Sequence, residues 1–411
     1  MNKISVVVAM VGTVAVALSG CACLNGDARR LDRDQKSVSV SNTLGAPEIR
    51  RPGGAYGEDC RGYAAGPSIA VAPNGWLWAT WHAGRTAGED KNGYIVLATS
   101  EDDGRSWTDV AVADPDGEGP RAMSDPQVWV DPDGHLRWSF TERMRKGEGT
   151  ANYADVKGRT CLLGQATIAN ANVVPKTLPQ SRCLGRGVMM GKPSVLSDGT
   201  WLLPVARWHE EHSSGAMVSS DRGETWTWRG GATLAPEERD YDEHSIVERR
   251  DGTLHCFSRC ARNIFHAVSP DRGRTWTESP EPRILQPSAR FLVRRLASGN
   301  WLMVKHGGLH ERIGRSHLTA FISEDEGRSW KGGLLLDARK NVSYPDADQR
   351  SDGLVYVVYD YERTSAKEVS FATFTEADVL AGRNVSGRVS LRRRICGGTV
   401  DLTGERKGRI R

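Results

Sequence analysis

Ser219-Ser-Asp221-Arg-Gly223-Glu-Thr225-Trp226 is a short polar stretch, and its repetition decides the fold. The same pattern returns as Ser100-Glu-Asp102-Asp-Gly104-Arg-Ser106-Trp107, as Ser269-Pro-Asp271-Arg-Gly273-Arg-Thr275-Trp276 and as Ser323-Glu-Asp325-Glu-Gly327-Arg-Ser329-Trp330. The shared form, Ser-x-Asp-x-Gly-x-Ser/Thr-Trp, reads as a hairpin turn. The carboxylate can accept hydrogen bonds from turn N–H groups, Gly takes the positive-φ position, and Trp packs back against the sheet. One copy would carry little weight; several in one chain mark an internal repeat, which outranks any local reading.

A second series of turns counts the units. Pro73-Asn74-Gly75, Pro132-Asp133-Gly134, Ser197-Asp198-Gly199, Arg250-Asp251-Gly252, Ala297-Ser298-Gly299 and Ser351-Asp352-Gly353 each precede an apolar strand pattern. Their glycines lie 47 to 65 residues apart, close to the roughly 40–50 residues of a four-stranded propeller blade. Alternating stretches such as Trp76-Leu-Trp78-Ala-Thr80-Trp81 flank the turns, and alternation of this kind is a strand signal. No helical pattern longer than about ten residues competes with it. The expectation is an all-β, six-bladed β-propeller over residues 51–395, with the first strand before Gly75 and the segment 385–395 placed to close the ring.

The ends read differently. Ile4 to Leu18 is an almost unbroken apolar run ending in Leu18-Ser19-Gly20-Cys21, short for a membrane span and suited to a signal-peptide core. That ending resembles the bacterial lipobox, which implies cleavage after residue 20 and lipidation of Cys21. Residues 21–50 read as the lipidated cysteine and a polar tether, so the chain is expected to be an exported, membrane-anchored lipoprotein. Arg392, Arg393 and Arg394 with the segment 396–411 read as a basic, solvated tail. The formal net charge of the 411 residues is only +4, with both signs interleaved, so no nucleic-acid-binding stripe is present. Export would permit disulfides, with Cys161–Cys183 and Cys256–Cys260 as candidate pairs. No His/Cys set has zinc-site spacing, and neither a metal nor an organic cofactor is implied. A monomer is expected.

The four boxes resemble the Asp boxes of the sialidase (neuraminidase) superfamily, where they lie far from the active site. Three further stretches are similar to sialidase site motifs. Glu243-His-Ser-Ile-Val-Glu, leading through Asp251-Gly252 to Arg259, resembles the segment whose Glu partners the nucleophile and whose Arg grips the substrate carboxylate. Arg315, ahead of Ser323 and its box, resembles a further carboxylate-binding arginine, and Tyr344 in Ser343-Tyr344-Pro345 resembles the nucleophilic tyrosine. The resemblance also implies an acid on the loop 84–94, for which Glu89 and Asp90 are the candidates.

The chemistry gives such residues a reason. A sialic acid carries a carboxylate on its anomeric carbon, which arginines bind through paired hydrogen bonds. A carboxylate nucleophile would be repelled there, whereas a neutral tyrosine beside a base can approach, and sialidases depart from the two-carboxylate rule in this way. One departure stands out. The Arg-Ile-Pro motif that the family carries at the start of the first blade is replaced by Ala65-Gly66-Pro67. Arg61 and Arg290 are the candidates to supply the missing cation. Asp125, Lys192, His244 and Lys305, polar residues at the ends of inner-strand patterns, complete the expected cleft. The resemblance implies an exo-acting, retaining glycoside hydrolase for a terminal sialic acid or related acidic sugar on a glycan. The alternatives are a non-catalytic glycan-binding propeller, or a polysaccharide lyase using Tyr344 or His244 as base.

Overall fold

The computed structural model describes residues 47–89, 93–115, 117, 121–144, 161–207, 213–261 and 263–397. Cys21, the apolar run before it, Asp90 and the segment from residue 398 onward lie outside the described residues.

Six antiparallel sheets form six blades in sequence order. Blade 1 comprises β2 (Tyr63–Val71), β3 (Leu77–Gly84), β4 (Tyr94–Ser100) and β5 (Thr108–Asp114), with β1 (Glu48–Arg50) added at its outer edge. Blade 2 is β6 (Arg121–Val130), β7 (Leu136–Met144), β8 (Cys161–Ile168) and β9 (Ser181–Arg186). In blade 3 the inner strand is split into β10 (Val188–Met189) and β11 (Ser194–Val195), both paired with β12 (Trp201–Ala206), followed by β13 (Ser213–Ser219) and β14 (Thr227–Thr233). Blade 4 runs β15 (Arg239–Glu248), β16 (Leu254–Cys260), β17 (Asn263–Ser269) and an outer strand split into β18 (Thr277–Glu278) and β19 (Ile284–Leu285). Blade 5 is β20 (Leu292–Arg295), β21 (Trp301–His306), β22 (Leu318–Ser323) and β23 (Lys331–Asp337). Blade 6 is β24 (Val342–Gln349), β25 (Val355–Tyr361), β26 (Glu368–Phe374) and β27 (Ser390–Cys396).

Each of the six turn glycines joins the first strand of a blade to the second, with φ between 82° and 91°. Each Asp box joins the third strand to the fourth, in blades 1, 3, 4 and 5. In the box of blade 4, Thr275 donates its backbone N–H to Asp271 Oδ1 at 2.8 Å and its hydroxyl to Oδ2 at 2.7 Å, while Gly273 N donates to Ser269 Oγ. These bonds hold Asp271 below the usual carboxylate range. Glycine is required for two reasons: a Cβ on Gly327 would come 2.6 Å from the Trp301 ring, and its φ is +89°. In blade 6 a short helix, α1 (Glu376–Ala381), stands where a box would be, closed by a Thr375/Asp378 capping box. Since strands alternate in direction, both turn series lie on one face, the inner-strand turns at one mouth of the central channel and the boxes at the rim, and the starts of the inner strands lie at the other mouth.

The blades bury a wide apolar interior that includes Trp78, Trp81, Trp138, Trp201 and Trp301. The ring closes by blade-to-blade contact. Blade 6 accepts backbone donors of β2 through three carboxylates: Gly66 N to Asp360, Ile69 N to Asp346 and Val71 N to Asp348, at 2.9–3.0 Å. Arg392, Arg393 and Arg394 belong to β27, paired with β26, rather than to a solvated tail; their alternation along an outer strand explains their exposure. Cys256 and Cys260 share strand β16, about 13 Å apart at the ~3.3 Å rise of a strand, too far for a disulfide. Gly164, not Cys161, stands opposite Cys183.

Four inner strands break their register where they enter the channel: β2 between Ala65 and Ser68, β6 between Ser124 and Gln127, β15 between Arg239 and His244, and β24 between Ser343 and Asp346. Each break holds a positive φ, at Gly66 (59°), Asp125 (47°), Asp242 (48°) and Tyr344 (56°). Three of these positions precede a proline, which cannot donate to the ladder and so tolerates a bulge. A non-glycine residue held at such an angle costs on the order of 1–3 kcal/mol, and such strain clusters at functional sites.

Candidate functional site

The bulges open into a cavity of about 230 Å³ lined by Ala65, Gly66, His82, Glu89, Asp125, Tyr241, Glu243, Arg259, Arg315, Tyr344 and Arg363. Two larger hollows, one around Lys192 and Arg294 and one between Phe257 and Trp330, lack this concentration of charged groups. At the centre stands Tyr344. Its backbone is turned by the bulge, and its ring is ringed by guanidinium groups: Arg363 at 4.1 Å, Arg290 at 4.6 Å and Arg315 at 5.7 Å from the ring centroid. Glu243 pairs with Arg259 Nη1 at 2.7 Å and Arg290 Nη2 at 3.4 Å, and Arg259 links it to Tyr344. Arg259 Nη1 also reaches Tyr344 Oη at 3.4 Å.

The electrostatics follow from that geometry. Burial pushes the Glu243 carboxyl upward, but Arg259, Arg290 and the Tyr344 hydroxyl together hold it down at about 2. Burial and the Glu243 charge push the Tyr344 phenol above its ordinary value of 10.0, against the pull of Arg259, Arg363 and Arg290. At neutral pH the site therefore rests as a carboxylate beside a neutral phenol. Burial likewise raises Asp125, opposed by Arg290 and Arg143. Glu89 accepts a hydrogen bond from Tyr63 Oη at 3.0 Å and pairs with Arg143 at 3.7 Å, with its carboxyl 32% exposed.

Of the residues anticipated from sequence, Tyr344, Glu243, Glu89, Asp125, Arg259 and Arg315 share this cavity. Five others do not line it. Arg61 is spent on the Tyr56 carbonyl, on Asp109 and on the Trp81 face, so it cannot supply the missing arginine. Arg290 lies behind Tyr344, bonded to Asp125 at 3.2 Å and to Glu243, so it braces these groups rather than facing the void. Lys192 sits in the channel wall with Asp346 at 2.9 Å and the carbonyls of Ile69 and Val128. His244 turns both ring nitrogens to carbonyls, those of Asp242 and Gly215. Lys305 caps the carbonyls of His306 and Gly308, each at 2.6 Å. For Lys192, His244 and Lys305 the cause is shared: polarity at a strand end does not say which mouth the side chain faces or whether its charge is already spent.

Arg363 is the functional-site residue that sequence reasoning missed. It follows β25, and its only local signal is a charged residue just past an inner-blade strand. Asp125 and Tyr344 carry a clearer one, the recurring x-Pro at the bulges. Among the described residues, Asp131, Asp133 and His135 lie close enough together to hold an ion. Asp131 is already engaged by Arg137 and His135, and the group lies at the turn mouth, away from the cavity.

Residues 75–357 match the family model for the BNR repeat-like domain. A search of curated proteins gave no match. Among solved structures, a Hadza microbial sialidase, Hz136, superposes with a TM-score of 0.65 at 20% identity, over 79% of this chain and 68% of that one. The Ruminococcus gnavus intramolecular trans-sialidase, solved with oseltamivir carboxylate, gives 0.61 at 14% identity, over 81% and 98%. A Dyadobacter fermentans protein of unknown function gives 0.53 at 20% identity, over 77% and 96%. At these identities the likenesses establish the fold.

Proposed function

This chain belongs to the BNR repeat-like domain family and has the six-bladed propeller of sialidases, and from that premise we propose that it is a retaining exo-glycosidase removing a terminal sialic acid or related acidic sugar from glycans. The observation that carries the reading is the half-buried Tyr344 and the buried Glu243, linked through Arg259, in a small cavity lined with arginines. Its volume, below the roughly 300–1,000 Å³ of drug-sized sites, suits one sugar residue rather than a polymer chain.

In this reading the sugar carboxylate lies against Arg259 and Arg315. Tyr344 Oη attacks the anomeric carbon as its proton passes to Glu243, the glycosidic C–O bond breaks, and Glu89 protonates the departing oxygen. Water, deprotonated by the same acid residue, then attacks the anomeric carbon, and Tyr344 leaves and regains its proton from Glu243. A Glu243 held near 2 is a weak base at rest. The anionic substrate offsets the arginines' charge and raises Glu243, so proton transfer becomes favourable when the sugar is bound. Asp125, raised by burial, is the second candidate for the acid.

The competing reading is a silent glycan-binding propeller, favoured by the engagement of Glu89 with Tyr63 and Arg143. A lyase using His244 has no support, since that ring is buried among carbonyls. Turnover of aryl glycosides of N-acetylneuraminic acid, other nonulosonic acids and uronic acids, beside a Tyr344→Phe variant, separates the two. Release lost in the variant is expected; glycan binding without release by folded protein would favour the silent propeller.

We further propose that the propeller is displayed on a membrane through lipidated Cys21, on the strength of the sequence pattern around that residue. Cys21→Ala is expected to move the protein from the membrane to the soluble fraction, and unchanged membrane association would refute the anchor.

A further inference from the structure

Three arginines line the cavity, and they differ in how much of their hydrogen-bonding capacity is already used. Arg259 gives Nε and Nη2 to Ser288 Oγ and Nη1 to Glu243 and Tyr344, and it stacks on Tyr241 at 4.5 Å. Arg315 spends Nη1 on Ser343 and Nη2 on the Ser288 carbonyl. Arg363 makes a single hydrogen bond among the described residues, from Nε to Asp360 Oδ1 at 3.2 Å. Its Nη2 lies 3.2 Å from Asp360 Oδ2 without hydrogen-bond geometry, a buried donor left unsatisfied. Such a donor is costly unless something else completes it.

The placement of Arg363 is built in by the closure of the ring. Its carbonyl accepts from Ala64 N at 3.0 Å, and Asp360, wholly buried, accepts from Gly66 N at 2.9 Å while bracing the guanidinium. The cation is thereby tied to the Ala65-Gly66 stretch, where blade 1 has no arginine. Gly66 is set by its φ of +59° rather than by space, since a Cβ there would meet only Tyr344 Cδ1, at 3.8 Å.

From this arrangement we infer that Arg363, delivered from blade 6 and braced by Asp360, is the third carboxylate-binding group of the site and takes over the place left vacant in blade 1. The inference rests on the acidic-sugar reading above. It makes the site specific for an anion: with Arg259 and Arg315 partly committed, Arg363 brings the free donors that a carboxylate oxygen on the Tyr344 side would accept.

The test is calorimetric binding to the full chain, which needs no turnover, using the 2,3-unsaturated glycal of N-acetylneuraminic acid and its methyl ester. Arg363→Met is expected to weaken acid binding about 10- to 100-fold, the worth of a charge-assisted hydrogen bond, and to leave the ester unchanged. Because Arg363→Met leaves Asp360 buried and uncompensated, the Asp360→Asn/Arg363→Met double variant is measured alongside and should show the same loss of acid–ester discrimination. Arg363→Lys, which keeps charge but not the fork, should lie between. Unchanged acid binding in folded variants, or equal loss for acid and ester, would overturn the inference while leaving the acidic-sugar reading intact. Failure of the wild-type protein to bind this glycal and the free acids of the other nonulosonic and uronic sugars would overturn both.

Discussion

The two mouths of the channel are both rich in charge buried among strands, yet they are built on different terms. At the turn mouth every charge named above is spent. Lys192 meets Asp346 and two carbonyls, and Arg294 meets Asp348 at 2.7 Å and the Ala347 carbonyl. At the bulge mouth Tyr344, Arg363 and Arg315 are positioned by such pairs but still face a void. The same residue types thus make a rivet at one end and a receptor at the other. What distinguishes the receptor is backbone strain at Asp125 and Tyr344 together with donors left over after the local pairing is complete.

Substitutions at the two mouths should therefore separate function from stability. Glu243→Gln is expected to cut turnover of the responsive acidic glycoside by about 10²–10⁴-fold, the range of a positioned base. The change should fall on kcat, with the fold retained. Glu243 also leaves a stability signature. Its folded value lies below its ordinary 4.5, so its contribution is full above pH 4.5 and is lost as pH falls toward 2. Urea unfolding between those limits should show a smaller acid-side loss in the variant than in the wild type; parallel curves would contradict the pairing with Arg259 and Arg290.

At the opposite mouth, Lys192→Met removes one partner of a buried ion pair and leaves Asp346 uncompensated. A loss of about 3–5 kcal/mol is expected in denaturant unfolding, with turnover per folded molecule unchanged. A fall in turnover at constant stability would mean that the two mouths are coupled. At the rim, Gly327→Ala forces a side chain at positive φ against Trp301. Its cost should exceed the ~0.4–1 kcal/mol that an unstrained glycine-to-alanine change gains, lowering the melting temperature without altering KM.

The fold was legible because propeller turns are local chemistry. The Asp-box carboxylates bond within eight residues, and each turn glycine has its own positive φ, so four boxes and six turns could be read off and assigned to blades. The site was legible only where a local motif leads to it. Glu243, Arg259, Arg315 and Tyr344 came through the family resemblance, and each lines the cavity. Arg363 did not, because its role depends on the contact between Asp360 and Gly66, nearly 300 residues apart, which no local pattern announces. Lys192, His244 and Lys305 lie outside the cavity for the converse reason. Their strand-end positions looked right, and only the three-dimensional structure reveals the carbonyls and carboxylates that already hold them. Arg61, chosen to replace the missing arginine, is held by Asp109 and the Tyr56 carbonyl.

The central claim is that Tyr344 forms a bond to the sugar. The most direct measurement is mass spectrometry of the intact protein and its peptides after incubation with the responsive acidic sugar fluorinated at its anomeric carbon and at the carbon beside it, since the anomeric fluoride leaves as the adduct forms and the remaining fluorine slows its hydrolysis. The account predicts a single sugar adduct on Tyr344, absent in Tyr344→Phe and slow to form in Glu243→Gln. Turnover without any adduct, or an adduct on Glu89 or Asp125, would contradict it.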